Sequence, residues 1–206
     1  MQELQLQIIE FIANNTTAGT TLGEKLLEMQ RQFPPFNFYY DKPEGMSTNH
    51  YLQKFKPVEF RDYFIYGQVK RWFLNLISQA QEFTKKGEAE KAIWIYETLI
   101  EHRYPNYKPY DLLIKLYRKQ KDPANENRII NISIEFFTAL RKNQKEYVLS
   151  LAREVGMKEK ALEYINAGNK IEYYGGAFVL YDPVKVLEKW KLLNLKFNEK
   201  RIFKPI

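Results

Sequence analysis

The stretch that decides the fold is residues 87–105, which reads GEAEKAIWIYETLIEHRYP. We predict a helix in it from about Glu88 to His102, because neither glycine nor proline interrupts that segment. A glycine directly in front of a helix can take the left-handed conformation that ends the preceding helix. The sequence therefore predicts a helical hairpin whose two helices meet at Gly87.

The segments on both sides carry similar helical patterns. Between Phe60 and Phe83, apolar residues recur at spacings of three, four and one, which predicts a helix that ends just before Gly87. Pro109 opens a third helix, since proline is favoured in the first turn. The middle of the chain thus indicates helical hairpins in series.

Two short motifs predict where further helices begin. Asp122 followed by Pro123 supplies an N-cap residue and a first-turn proline for a fourth helix. Thr21 and Glu24 have the spacing of a capping box, in which a hydroxyl and a carboxylate satisfy free amides at a helix start. We therefore expect helices to begin directly after Thr21 and after Asp122.

Residues 34 positions apart occupy corresponding places in these hairpins. The corresponding pairs are Phe83 and Tyr117, Gly87 and Lys121, Ala92 and Glu126, and Tyr96 and Ile130. A third copy runs from Gly156 to Tyr164 and parallels residues 87–95, with its glycine one residue late. A period of 34 residues in helix-turn-helix units is typical of tetratricopeptide repeats.

From about Trp72 to Lys170 the chain therefore resembles the tetratricopeptide-repeat family. The first copy matches the family positions at Ala80, Phe83, Gly87, Ala92, Tyr96 and Pro105. The resemblance implies an all-α, right-handed array of antiparallel helical hairpins, an α-α superhelix. The second copy departs from the pattern, with Lys121 for glycine and Glu126 for alanine. An ordinary helical bundle with coincidental spacing is the alternative.

The C-terminal part lies outside the resemblance. Gly175-Gly176 within residues 171–181 predicts a short β-hairpin, and Asp182-Pro183 begins a last helix that would cap the array. The expected organisation is residues 1–57 as N-terminal helices and an aromatic, proline-rich loop, 58–170 as repeats, and 171–206 as hairpin and capping helix. We expect these parts to form one compact domain.

Composition excludes several classes of function. The 206 residues include no cysteine, which excludes disulfides, thiol nucleophiles and cysteine metal sites. There are two histidines, His50 and His102. No phosphate-binding, zinc-protease or hydrolase motif occurs, so we predict no enzyme, no cofactor and no metal. No apolar run approaches the roughly 18 residues of a membrane span, and Glu3 stands where a signal peptide would be basic. We expect a soluble, cytoplasmic protein without membrane insertion.

The net charge of +7 favours an acidic partner. Carried over residue by residue, the ligand-facing positions of the family imply a basic groove formed by Lys85, Lys108, Lys115, Arg118, Lys119, Lys142, Lys145 and Arg153. Such cations would attract carboxylates or phosphates. The alternative is that they only solvate exposed helix faces. The family's clamp for peptide C-termini does not fit, because Ile77 and Gln81 stand where it needs lysine and asparagine.

The loop over residues 33–57 is rich in aromatic residues, and it either folds into the core or forms a second contact surface. Its candidate contacts are Phe36, Phe38, Tyr39 and Tyr40. The predicted function is a protein-interaction scaffold, or adaptor, that binds an acidic peptide or protein surface. The alternative is a nucleic-acid-associated protein that uses the basic face and stacks bases on the loop. The oligomeric state stays open.

Overall fold

The computed structural model describes residues 2–16, 19–32, 57–154, 156–168 and 183–202, which form helices joined by short turns. The helices are α1 Gln2–Asn15, α2 Leu22–Gln32, α3 Pro57–Lys85, α4 Ala89–Glu101, α5 Tyr107–Lys119, α6 Pro123–Glu154, α7 Lys158–Asn166 and α8 Val184–Ile202. These described segments contain no strand, and the all-α prediction is confirmed for them. The β-hairpin predicted at 171–181 and the aromatic loop lie outside the described residues.

The chain divides into two compact units, Met1–Pro109 and Tyr110–Ile206. The boundary falls within α5, which continues across it as one helix. The predicted three-part organisation stays a prediction. Each unit has its own buried aromatic and aliphatic residues.

The first unit is built on the hairpin of α3 and α4, which pack against each other, with α2 against α3. Ala80 and Ala92 are fully buried, and side chains this small let two helices approach closely. Phe73 of α3 stacks on Tyr104 with ring centroids 4.0 Å apart. Trp72 stacks on Phe11 of α1 at 4.1 Å and so joins α1 to α3.

The start of α2 is held in two ways. The predicted capping box is present: the Thr21 amide donates to Glu24 Oε2 at 2.8 Å, and the Glu24 amide donates to Thr21 Oγ1 at 3.2 Å. These bonds, first of all the one from the Thr21 amide, hold the pKa of Glu24 below its ordinary value of 4.5. The Gly23 amide donates to the carbonyl oxygen of His102 at 2.8 Å, which ties α2 to the end of α4.

The second unit is built on α6, which packs against α7 and α8. Four aromatic side chains from α5, α6 and α8 meet there. They are Tyr110, Phe136, Phe137 and Trp190, with centroid separations from 5.0 to 6.2 Å. The predicted last helix is thus present as α8, and Trp190 fixes it by its complete burial.

The region after Asp122 differs from the repeat pattern. That pattern places two helices, the second of one copy and the first of the next, between residues 123 and 154. The structure has a single helix of 32 residues there. After Pro123 this segment contains neither glycine nor proline, so nothing in its sequence ends the helix. The first helix of the third copy is therefore not a separate helix but the second half of α6.

The turns that end α3, α5 and α6 share one geometry. Gly87, Lys121 and Gly156 have φ angles of 80°, 59° and 71°, in the left-handed region. Their amides donate three residues back, at 3.2, 3.1 and 3.1 Å, and the next amide donates five residues back, at 2.9, 3.0 and 2.7 Å. The predicted glycine cap at Gly87 is confirmed, and Lys121 adopts the same conformation without being glycine.

The contact at Gly23 generates a stability prediction with a matched control. A Cβ atom added to Gly23 would lie 2.1 Å from the Arg103 carbonyl oxygen, whereas one added to Gly67 of α3 would meet nothing within 4 Å. Gly23→Ala should lower the free energy of unfolding by about 1–3 kcal/mol because the backbone must move apart. Gly67→Ala should raise it by about 0.5–1 kcal/mol. Urea melts of both variants test this, and equal stability of Gly23→Ala and the wild type would contradict it.

Candidate functional site

Three exposed lysines share one face of α5. Lys108, Lys115 and Lys119 are separated by seven and four residues, spacings that return to the same side of a helix. On the opposite side Tyr110, Leu113, Ile114 and Tyr117 are buried. This burial turns the lysines outward. We call Lys108, Lys115 and Lys119 the α5 lysine row.

One carboxylate lies at the edge of the α5 lysine row. Asp111 Oδ2 is 2.9 Å from Lys115 Nζ, and Asp111 Oδ1 accepts a hydrogen bond from Lys189 of α8. Burial raises the pKa of Asp111, but the bonds from Lys189 and Lys115 outweigh it, and the net pKa lies below its ordinary value of 3.8. Asp111 is therefore ionised at neutral pH and shared by two lysines, so the positive charge exceeds the negative charge here.

Arg118 points to a different partner. Its Nε and Nη2 atoms donate to Glu126 Oε1 of α6 at 2.8 and 2.6 Å. Glu126 is 7% exposed, at the position where the resemblance expects alanine. The Glu126 side chain, longer and charged, is accommodated at this buried position because the Arg118 guanidinium compensates its charge. These bonds join α5 to α6, while the Arg118 side chain remains 51% exposed.

The predicted contacts on α6 lie among opposite charges. Lys142 and Arg153 are exposed and eleven residues apart, which places them on one face of the helix. Glu135 and Glu146 are exposed on the same face. Lys145 is half-buried and donates to Asn166 Oδ1 of α7 at 3.4 Å. The outer face of α6 therefore has mixed charge, as a solvated helix face does.

The remaining predicted site residues are not on α5 or α6. Lys85 is exposed in the last turn of α3, in the first unit. Its neighbour in the hairpin, Lys91, pairs with Glu88 and lies 5.2 Å from the centre of the Phe83 ring. The loop candidates Phe36, Phe38, Tyr39 and Tyr40 lie outside the described residues.

No described residue orients the His102 side chain as a general base. The carbonyl oxygen of His102 accepts a hydrogen bond from the Gly23 amide, and its buried Nδ1 atom has no hydrogen-bond partner among the described residues. Burial lowers the pKa of His102. In the described part of the chain, no group of three or more histidine, aspartate and glutamate side chains is arranged to hold a metal ion. Nor is any helix there both long and apolar enough to cross a membrane.

Sequence reasoning did not assign Asp111, Lys189 and Glu126 to this region. Asp111 and Lys115 were detectable from their spacing of four residues, which suits a helical ion pair. Lys189 contacts Asp111 from 78 residues away, so only the fold brings them together. Glu126 was visible as a departure from the repeat pattern, but its guanidinium partner was not.

Comparison of this chain with known proteins gives no relative. No known protein family, no curated protein and no solved structure matches this chain.

The Arg118–Glu126 pair predicts non-additive stability effects. Arg118→Met should cost about 1–3 kcal/mol of the free energy of unfolding, because it leaves a buried carboxylate without its cation. The double variant Arg118→Met/Glu126→Ala should cost less than the single one, since the unpaired charge is gone. Lys119→Met, the exposed neighbour, should change stability by less than about 0.5 kcal/mol. Denaturant melts measure all three, and additive losses in the double variant would contradict the pairing.

Proposed function

We propose that this chain is a non-catalytic helical-repeat scaffold that binds an acidic peptide or protein surface along the α5 lysine row. The observation that carries the proposal is the charge balance of that helix face. Lys108 and Lys119 are exposed and form no ion pair with any described residue. The carboxylate at the edge of the row, Asp111, already binds two lysines. A carboxylate from a partner would therefore meet uncompensated positive charge.

The turns support the repeat part of this proposal. The turns at Gly87 and Lys121 lie 34 residues apart and have the same two hydrogen bonds. After each turn the next helix starts at the same offset: the Ala92 amide donates to Glu88 and the Glu126 amide donates to Asp122. In this frame α5 is the first helix of the second copy. The resemblance assigns the ligand-binding surface to that helix.

An acidic polypeptide suits the row better than a nucleic acid. Lys108 and Lys119 are eleven residues apart, or about 16 Å along a helix axis at 1.5 Å per residue, which several side chains of a bound peptide would span. Single-stranded nucleic acid is held by aromatic stacking in addition to charge. The exposed residues of α5 are Lys108, Lys115, Arg118 and Lys119, and none of them is aromatic. Nucleic-acid binding is accordingly an outcome of the test rather than the proposal.

A binding assay with two charge-reversal variants tests the proposal. Lys108→Glu/Lys119→Glu changes the row, and Lys142→Glu/Arg153→Glu makes the same change of charge on the mixed face of α6. The probes are a fluorescent polyglutamate peptide and a fluorescent single-stranded DNA, each titrated at two salt concentrations. We expect the row variant to bind the peptide roughly tenfold or more weakly and the α6 variant to stay within about twofold of the wild type.

Three results would contradict the proposal. Equal losses in both variants would mean that only net charge matters. No measurable peptide binding by the wild-type chain would leave the row as a solvated face. Tight DNA binding with a salt slope near −2, about 0.7 for each of three lysines, and no peptide binding would favour the nucleic-acid function.

A further inference from the structure

Large apolar side chains are exposed mainly on the first and the last described helix. Among the described residues, six large hydrophobic side chains are at least 36% exposed. Four of the six are Leu6 at 67% and Ile9 at 58% on α1, and Leu192 and Leu195 at 58% each on α8. Single exposed leucines are common, but an adjacent pair one turn apart forms a continuous apolar surface.

Each pair faces away from the core of its own unit. In α1 the buried residue is Ile8, which lies on the opposite side of the helix from Leu6. In α8 the buried residues Leu187 and Trp190 lie opposite Leu192. The two apolar pairs are therefore outer faces and are not needed for packing within a unit. Contiguous apolar surface that stays exposed on a folded protein is typical of protein-interaction sites.

The two faces have the same spacing and opposite charge. On α1, Glu3 lies three residues before Leu6, and Glu10 directly follows Ile9. On α8, a lysine lies three residues before Leu192 and another directly follows Leu195; these are Lys189 and Lys196. The offset between the two sets is 186 residues throughout. Both glutamates and both lysines are exposed.

We propose that the outer face of α1 in one copy of this chain docks on the outer face of α8 in a second copy. The pair Leu6 and Ile9 would pack on the pair Leu192 and Leu195, which removes four apolar side chains from water. Glu3 and Glu10 would then lie beside Lys189 and Lys196, whether the helices run parallel or antiparallel. Lys189 remains 48% exposed while it binds Asp111, so it can meet a second carboxylate.

Charge selects this pairing over the pairing of identical helices. Two α1 faces would bring glutamates together, because α1 contains no lysine or arginine. Between residues 184 and 199, α8 has four lysines and two glutamates, Glu188 and Glu199. Two α8 faces would therefore repel each other, whereas α1 with a charge of −2 attracts α8. An interface between two different faces is heterologous, so it produces a ring if it closes and a chain of copies if it does not.

One-sided variants test the docking directly. Leu6→Gln/Ile9→Gln removes the α1 face and leaves α8 intact, and Leu192→Gln/Leu195→Gln does the reverse. Molar mass is measured by light scattering on size-exclusion chromatography over a wide concentration range. The wild type should increase in mass with concentration, and each variant alone should associate roughly tenfold or more weakly. An equimolar mixture of the two should form a complex of two chains and nothing larger, because only one α1 and one α8 face remain.

Controls separate the docking from general stickiness. Leu74→Gln, at an exposed leucine on α3, should leave the mass of the wild type unchanged. Glu10→Lys should weaken association, and mixing it with Lys196→Glu should restore association to the level of the wild type, because each α1 face then meets an α8 face of opposite charge. A wild type that stays monomeric at all concentrations would overturn the proposal. So would one-sided variants that still associate with themselves, or a mixture that forms no complex although the wild type associates.

Discussion

Each described chain reversal between neighbouring helices depends on one residue held in the left-handed backbone conformation. At Gly87, Arg103, Lys121 and Gly156 this residue turns the chain, and two amides bond the last carbonyls of the helix just ended. For residues other than glycine the conformation costs about 1–2 kcal/mol. The surrounding helices must compensate that cost at Arg103 and Lys121. The turns at Gly87 and Lys121 set the directions of α4 and α6. They thereby also set which side chains of those two helices face the core.

Contacts within the chain also determine which of the predicted cations are already paired. Three of the cations that the sequence assigns to a groove have partners in the second unit: Lys115 on Asp111, Arg118 on Glu126 and Lys145 on Asn166. Because these partners belong to the chain itself, the three cations already form bonds within the molecule. Among the predicted cations, the α5 lysine row is the group to which we assign the proposed partner. On α6, glutamates alternate with the cations, and the field outside that helix is correspondingly weaker.

Local features were predictable from the sequence, whereas long-range ones were not. Three local features are the capping box at Thr21, the N-cap at Asp122 and the turn at Gly87. Asp122 Oδ1 accepts the Asn125 amide at 3.0 Å, and each of the three features depends on residues within five positions of one another. Ala92, which the resemblance matches to a family position, is fully buried. The bond between Lys189 and Asp111 and the close contact of Gly23 with residues 102 and 103 depend on segments far apart in the chain. The repeat pattern predicts a break within α6, but the helix continues because no glycine or proline between residues 124 and 154 ends it.

The reciprocal substitutions Lys121→Gly and Gly87→Lys test the central role of the left-handed turns most directly. If both residues hold that conformation, Lys121→Gly should raise the free energy of unfolding by about 1 kcal/mol, and Gly87→Lys should lower it by a similar amount. Lys119→Gly, two positions earlier and still in α5, should instead destabilise by up to about 1 kcal/mol. Denaturant melts of the three variants give the answer. A Lys121→Gly variant that loses as much stability as Lys119→Gly would show that residue 121 is not left-handed, and would contradict the account of the turns.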